Sequence, residues 1–283
     1  MFAHQVIEDF GTLKELKSDG HNLYVIHHMI DEIIPKLKQS QKFHIDCTDN
    51  VEAIIKRHGI DIDEAVKMNI PYESIYIDCE YVVQYPPETL TPAHRVAILI
   101  CDKEYTRKIL AMYQFPLSLD RNKKIWVPSI CYIEYNRLLG KLSFLVGNST
   151  STPDKAAEWF NAIINLAFAF VMLLNCKNIQ TEVIKAPEAL NKKRRKAGKQ
   201  ELFDYHVLNV VVPSRKQGYS EKTEPLSHNR VHLCRGHFKE YTQEHPLFGK
   251  LTGLYWWQPH VRGQNKDGIV MKDYNVNVQS HDA

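Results

Sequence analysis

The chain has 283 residues, of which 44% are hydrophobic and 24% charged, and its formal net charge is +3. This composition is typical of a globular protein with a sizeable core, and it argues against a disordered or fibrous chain. The charge is uneven: residues 185–262 carry fifteen lysines and arginines against seven acidic residues, a net +8, so the rest of the chain has −5.

The first half predicts helices followed by strands. Helical spacing of apolar residues predicts helices over 22–38 and 48–58, with a third starting near 61. After Pro71, β-branched and aromatic residues predict strands over 74–85, 94–101, 125–135 and 142–146. We expect these strands to form a mainly antiparallel sheet, because the connections between them are too short to hold helices.

The second half begins with a helix, predicted from Pro153 to about Asn175, that is apolar on nearly all sides. A strand over 177–185, a short basic helix after Pro187 and a strand over 203–212 follow. The predicted fold is α+β, with N-terminal helices, a mixed or antiparallel sheet packed on one long buried helix, and a basic β-rich C-terminal part. The best candidate boundary divides the chain into 1–150 and 151–283, with one continuous domain as the alternative.

Cysteine usage and hydropathy bear on the compartment. Six cysteines are present without a Cys-x-x-Cys pair, which favours reduced thiols in the cytoplasm. The most apolar stretch, 160–174, is shorter than the ~20 residues that a membrane-spanning helix needs. The first ten residues lack a secretory signal pattern. We therefore expect no membrane association, and the oligomeric state stays open.

Two Arg-Gly pairs mark the most distinctive segment. His232-Leu-Cys-Arg235-Gly236-His237 is followed by Tyr255-Trp-Trp257-Gln-Pro-His260-Val-Arg262-Gly263. The first run predicts a strand that kinks at its glycine, and the second predicts another strand that ends in the same way. If these strands pair, their arginines and histidines would surround an anion such as phosphate, because guanidinium groups grip phosphate at two points.

The aromatic residues of this segment predict base stacking. Tyr241 and Trp256 or Trp257 would stack on the bases of single-stranded nucleic acid. Such stacking does not depend on the nucleotide sequence. The alternative is structural: each arginine pairs with a buried carboxylate and His237 belongs to the core. Successive tryptophans on a strand point to opposite faces, so at least one of them is expected in the core.

The basic run Asn191-Lys192-Lys193-Arg194-Arg195-Lys196-Ala-Gly-Lys199 is the strongest electrostatic feature. Such a run would release counterions on meeting nucleic acid, and binding through it would depend steeply on salt. The alternative is a solvated helix face that keeps the protein soluble.

The same histidines permit a catalytic hypothesis. His237 or His232 would act as the base, His260 as the acid, and Arg235 and Arg262 would stabilise charge in a metal-independent cleavage of RNA. The spacing of His232 and His237 matches no metal-binding motif, and no cofactor fingerprint is present, so we expect neither metal nor cofactor.

The C-terminal half resembles a family of small uncharacterised proteins encoded by phages and prophages. The resemblance covers roughly residues 160–263, and its motifs occur in this order: Leu174-Asn175, Pro187 with Leu190-Asn191-Lys-Lys-Arg-Arg and Gly198-Lys199, Tyr205-His206-Val207, His232-x-x-Arg-Gly-His-Phe238, Tyr241, Pro246-Leu-Phe-Gly249, Gly253, and Trp256-Trp-x-Pro-His-x-Arg-Gly263. It implies a viral or prophage accessory protein and assigns no reaction.

Three functions are therefore carried forward. The first is non-enzymatic binding of nucleic acid or another phosphate-rich partner. The second is a histidine-dependent nuclease or phosphoesterase. The third is a module that binds an acidic protein. The sequence leans towards binding over catalysis.

Overall fold

The computed structural model describes residues 2–15, 21–45, 65, 67–81, 94–118, 124–146, 153–213, 230–234, 236–257, 260–262 and 264–269. Helices and strands both contribute, which confirms the α+β class. The helices are α1 (Ala3–Glu15), α2 (His21–Gln39), α3 (Pro153–Leu174) and α4 (Glu188–Lys196). The strands are β1 (Gln41–His44), β2 (Ser74–Tyr81), β3 (His94–Asp102), β4 (Thr106–Ser118), β5 (Lys124–Asn136), β6 (Lys141–Val146), β7 (Ile179–Ile184), β8 (Tyr205–Val210), β9 (Arg230–Cys234), β10 (His237–Tyr241), β11 (Gly253–Trp257), β12 (His260–Arg262) and β13 (Gln264–Ile269).

The chain forms two compact units, residues 1–211 and 212–283. The predicted division at 150 therefore falls inside the first unit. The physical reason is the sheet: β7 and β8 follow α3 in the chain, yet β8 pairs with β1. Residues 151–211 thus complete the sheet that the first 150 residues begin.

The first unit is built on an eight-stranded mixed sheet in the order β6-β5-β4-β3-β2-β1-β8-β7. Strands β2 to β6 form an antiparallel meander, as the short connections predict. Strand β1 is parallel to both of its neighbours, β2 and β8. The expectation of a mainly antiparallel sheet is confirmed, and the parallel strand β1 is the departure from it.

Helices α1 and α2 cover one face of the sheet. Helix α1 is amphipathic, because its buried residues Ala3, Val6, Ile7, Phe10 and Leu13 recur every three or four positions. They form one core with Ile30, Ile33 and Leu37 of α2 and with sheet residues such as Tyr76, Leu99 and Tyr205. The first residues of the chain are therefore held against the middle of the sheet.

Helix α3 contacts the sheet at β3 and β4. From residue 163 to residue 172 every side chain except that of Asn165 is buried. The Phe170 ring meets the Phe43 ring edge-on at 5.0 Å. Because Phe43 alternates along β1 with Lys42 and His44, it lies on the sheet face opposite to theirs.

The second unit consists of short strands. Strands β10 and β11 form an antiparallel pair, and β12, β9 and β13 form a three-stranded sheet with β9 in the centre. The predicted strand over 231–237 is therefore two strands in different sheets, since β9 ends at Cys234 and β10 begins at His237.

Strands β1, β4 and β13 were not predicted, and of β10 only the first residue, His237, fell in a predicted strand. The helix predicted over 48–58, the helix start near 61 and the loop over 214–227 lie outside the described residues. Within the part of the chain that the structure describes, every helix is too short or too polar to cross a bilayer.

Candidate functional site

Helix α4 carries the basic run. It begins after Pro187, has Glu188 in its first turn and has four consecutive basic residues in its last turn, which suits the helix dipole at both ends. Gly198 ends it at φ 64°, where the Lys199 N–H donates to the Arg194 carbonyl at 3.0 Å. The buried Asn191 side chain binds both backbone groups of Leu202. The position of the helix on the first unit is therefore fixed.

The two arginines of this run are held by other groups. Arg194 donates from Nη2 to Glu8 Oε1 at 2.7 Å and from Nε to the Gln200 carbonyl at 2.6 Å. Arg195 donates from Nε and Nη2 to the two carboxylate oxygens of Glu201, at 2.9 and 2.8 Å. The Arg195 guanidinium lowers the pKa of the Glu201 carboxyl. Both predicted phosphate ligands thus have carboxylate partners, and Arg194 fastens α4 to α1.

The lysines of the run have a different environment. Lys192, Lys193, Lys196 and Lys199 are all exposed, and we call them the lysine face. Within the described residues, none of their ammonium groups has an ion pair, in contrast to the adjacent arginines. The lysine face is thus the part of the basic run whose charge stays available to a ligand.

Strand β9, which contains His232, and strand β12, which contains His260 and Arg262, form a pair, as the anion-site hypothesis requires. Strand β12 runs antiparallel to β9, with Arg262 opposite His232 and His260 opposite Cys234. Three of the predicted residues therefore occupy neighbouring register positions in the second unit. Arg235 lies outside the described residues, as do the side chains of the other three.

His237 belongs to the other small sheet, where it lies opposite Trp257. The three histidines of the catalytic hypothesis are thus divided between two sheets. Trp256 is buried and packs on the Phe238 ring at 4.7 Å, which confirms that one tryptophan belongs to the core. Trp257 is half-buried.

Tyr241 is the second aromatic residue predicted to stack on a base. Its ring is half-buried and meets the Tyr255 ring edge-on at 5.6 Å. The Lys239 ammonium lies 4.8 Å from the centre of the Tyr241 ring. The Lys239 ammonium therefore makes a cation–π contact with the Tyr241 ring.

A buried carboxylate in the first unit was not predicted as a site residue. Asp78 of β2 is 0% exposed and accepts hydrogen bonds from groups on three other elements. Its Oδ2 accepts from the Phe2 N–H at 2.7 Å and from the Tyr205 hydroxyl at 2.6 Å. Its Oδ1 accepts from His44 Nδ1 at 2.6 Å. We call these residues the Asp78 network.

The network also affects the ionisation of Tyr205. Burial, and after it the Asp78 carboxylate, raises the pKa of Tyr205, so Tyr205 keeps its proton and donates it to Asp78. The Tyr205 oxygen in turn accepts the Ala3 N–H at 2.8 Å. His44 Nδ1 donates to Asp78 Oδ1, and His44 Nε2 has no hydrogen bond among the described residues. The imidazole of His44 is 26% exposed.

The signal for this network in the sequence is faint but present. Asp78 is an acidic residue inside the apolar strand pattern Ile75-Tyr-Ile-Asp-Cys79, where a charge requires a partner. Its partners His44 and Tyr205 are 34 and 127 residues away along the chain. Only the folded sheet brings the three together.

Comparison with protein-family models, with curated proteins and with solved structures finds no match for the chain.

Proposed function

We propose that this chain is a phage or prophage accessory protein that binds nucleic acid, the phosphate-rich partner, through the lysine face. The observation that carries the proposal is the contrast within the basic run, residues 191–199. The arginines are bound to carboxylates, whereas the four lysines are exposed and lack an ion pair among the described residues. The order of motifs between Leu174 and Gly263 supports the phage or prophage origin.

Electrostatics favours a polyanion as the ligand. Four ammonium groups at one helix end repel one another, and phosphates that replace their counterions relieve this repulsion. Lysine contacts to phosphate position a ligand without reading its sequence. We therefore propose sequence-independent binding. The cysteines with described side chains are free thiols, which supports a reducing compartment such as the host cytoplasm.

Salt dependence tests the proposal. If all four lysines contact phosphates of duplex DNA, the logarithm of the binding constant falls with the logarithm of salt concentration with a slope of about −3.6. Each Lys→Gln substitution in the lysine face should reduce that slope by about 0.9. The measurement is fluorescence anisotropy of a labelled duplex and a labelled single strand across a salt series.

The matched control removes the same charge elsewhere. A quadruple variant with Lys67, Lys103, Lys141 and Lys177 changed to glutamine alters four exposed lysines outside the face. We expect it to keep a slope near that of the wild type, whereas the lysine-face quadruple variant loses most of its affinity. Equal losses in the two variants, or wild-type affinity that is indifferent to salt, would rule out the lysine face as the nucleic-acid interface.

A further inference from the structure

The Asp78 network contains more than a structural anchor requires. The N-terminus of α1 is held by the Phe2 N–H and by Tyr205, and both of these donors use Oδ2 of Asp78. The second oxygen, Oδ1, accepts from His44 Nδ1. The His44 imidazole is 26% exposed, so a fully buried carboxylate orients a ring that reaches solvent.

This orientation is that of a general base. A carboxylate on Nδ1 fixes the tautomer and the ring plane, and it stabilises the imidazolium that forms when Nε2 takes a proton. The carboxylate is itself held by the Phe2 N–H, just before α1, and by Tyr205 of β8, so the ring cannot turn without breaking its hydrogen bond to a fixed acceptor. Preorganisation of this kind is what distinguishes a catalytic histidine from a surface one.

The place of His44 in the sheet also fits a reaction site. His44 is the last residue of β1, and β1 is parallel to β2 on one side and to β8 on the other. In sheets with parallel strands, ligands often bind beyond the carboxyl ends of the strands. His44 occupies the carboxyl end of β1.

Helix α1 connects this histidine to the lysine face. Its N-terminus is bound to Asp78 through the Phe2 N–H, and Glu8, six residues further, binds Arg194 of α4. Six residues of helix span about 9 Å. His4 stands on the same stretch of α1 and is within electrostatic range of both Asp78 and Arg194. Helix α1 therefore links the element that carries the lysine face to the residues that hold His44.

We propose that His44 is the general base of a phosphodiester hydrolysis, with Asp78 and Tyr205 as positioning residues; the substrate class rests on the proposed function. His44 Nε2 takes a proton from water as the water oxygen bonds to phosphorus. The ester P–O bond breaks, its electron pair stays on the departing oxygen, and that oxygen takes a proton from solvent, while the His44 imidazolium returns its proton to solvent. One diester and one water become one monoester and one alcohol.

The test is cleavage of a labelled single-stranded RNA and DNA by the full chain, followed on denaturing gels, with binding measured in parallel. His44→Gln should lower the cleavage rate by about 100-fold or more while affinity stays within about twofold of the wild type. The matched control is His206→Gln. His206 is also half-buried and lies on the neighbouring strand, with its ring 5.4 Å from that of Phe43 on the other face of the sheet. It should retain the wild-type rate.

Three results would overturn the assignment: absence of cleavage by the wild type, an unchanged rate in His44→Gln, or a loss in His260→Gln that His44→Gln does not share. A variant that fails to fold is replaced by His44→Gly, in which added imidazole should restore cleavage. Asp78→Asn should lower the rate with intact affinity, because an amide facing Nδ1 forces the other tautomer; full activity in a folded Asp78→Asn would contradict its positioning role.

A small substrate separates this inference from the proposed function. Bis(4-nitrophenyl) phosphate needs no lysine face, so its hydrolysis should be lost in His44→Gln and kept in the lysine-face quadruple variant. Nucleic-acid binding without hydrolysis of either substrate would leave the proposed function standing and refute the role of His44. Hydrolysis of the small diester without nucleic-acid binding would refute the proposed function and support His44 as the base.

Discussion

Replacing Asp78 by alanine removes the acceptor that joins α1, β1 and β8. The Phe2 N–H and the Tyr205 hydroxyl both lie in the core and would lose their shared partner, Oδ2. The His44 imidazole, which is 26% exposed, can turn to water instead. The substitution therefore leaves two buried donors without an acceptor and one partly exposed donor with an alternative.

The cost follows from these contacts. A buried donor that loses its acceptor costs about 1–3 kcal/mol, and removal of one member of a buried charged network costs about 3–5 kcal/mol. We expect Asp78→Ala to lower the free energy of unfolding by about 3–5 kcal/mol. A whole domain has only about 5–15 kcal/mol, so the first unit would be close to unfolding. Asp78→Asn keeps a carbonyl for Phe2 and Tyr205, and it should cost about 1–2 kcal/mol.

Urea unfolding at neutral pH, followed by far-ultraviolet circular dichroism, measures the effect as a shift of the midpoint at constant slope. Asp31→Ala is the control, because Asp31 is 62% exposed and pairs with Lys14 at the surface. That variant should unfold close to the wild type. If Asp78→Ala unfolded within 1 kcal/mol of wild type, or if alanine and asparagine had equal effects, hydrogen bonding to Asp78 would not hold α1 on the sheet.

Two further predictions concern charge. Arg194→Ala should lower the free energy of unfolding by about 2 kcal/mol, because it removes two charge-assisted hydrogen bonds from a side chain that is 17% exposed. Arg195→Ala should stay close to the wild type. Thermal unfolding compares the two variants, and a larger loss in Arg195→Ala would contradict the assignment. Burial lowers the pKa of Lys42 from 10.5 to about 8, so between these values the unfolded chain binds more protons and stability rises with pH. This gain in the free energy of unfolding is at most about 3 kcal/mol, because Lys42 Nζ also donates to two carbonyls. Urea unfolding at several pH values measures it, with Lys42→Met as the reference. A stability that falls as pH rises through this range would refute the burial of the ammonium group.

Local pattern was sufficient for most of the fold. Strands β2, β3, β5 and β6 and helix α3 have residue types that favour one structure over a long stretch, and the structure places them within a few residues of the predicted bounds. Strand β4 was missed because Leu110, Ala111 and Met112 favour helix and Pro116 argues against a central strand. In the folded sheet the pairing of β4 with β3 ends at Gln114. Within the described residues, Pro116 therefore pairs with β5 alone.

Strand β1 shows why the site was harder to predict than the fold. Its four residues Gln41-Lys-Phe-His44 have no strand periodicity of their own, and pairing with β2 and β8 defines them. The Asp78 network depends on that pairing. The basic run could be predicted from the sequence, but the difference between its paired arginines and its exposed lysines could not. Glu8, which binds Arg194, is 186 residues away in the chain.

The hydrogen bond between Ala3 and Tyr205 has a consequence for synthesis on the ribosome. The first helix of the chain is held by a strand that is made about two hundred residues later. At about 5–20 residues per second, translation needs roughly 10–40 s to deliver that strand. The nascent meander β2–β6 can pair locally during this delay, while the apolar side of α1 still lacks its contact with Tyr205 of β8. Premature chain release before residue 205 would leave an exposed surface for chaperones and proteases, so the first unit is complete only after β8 has been synthesised.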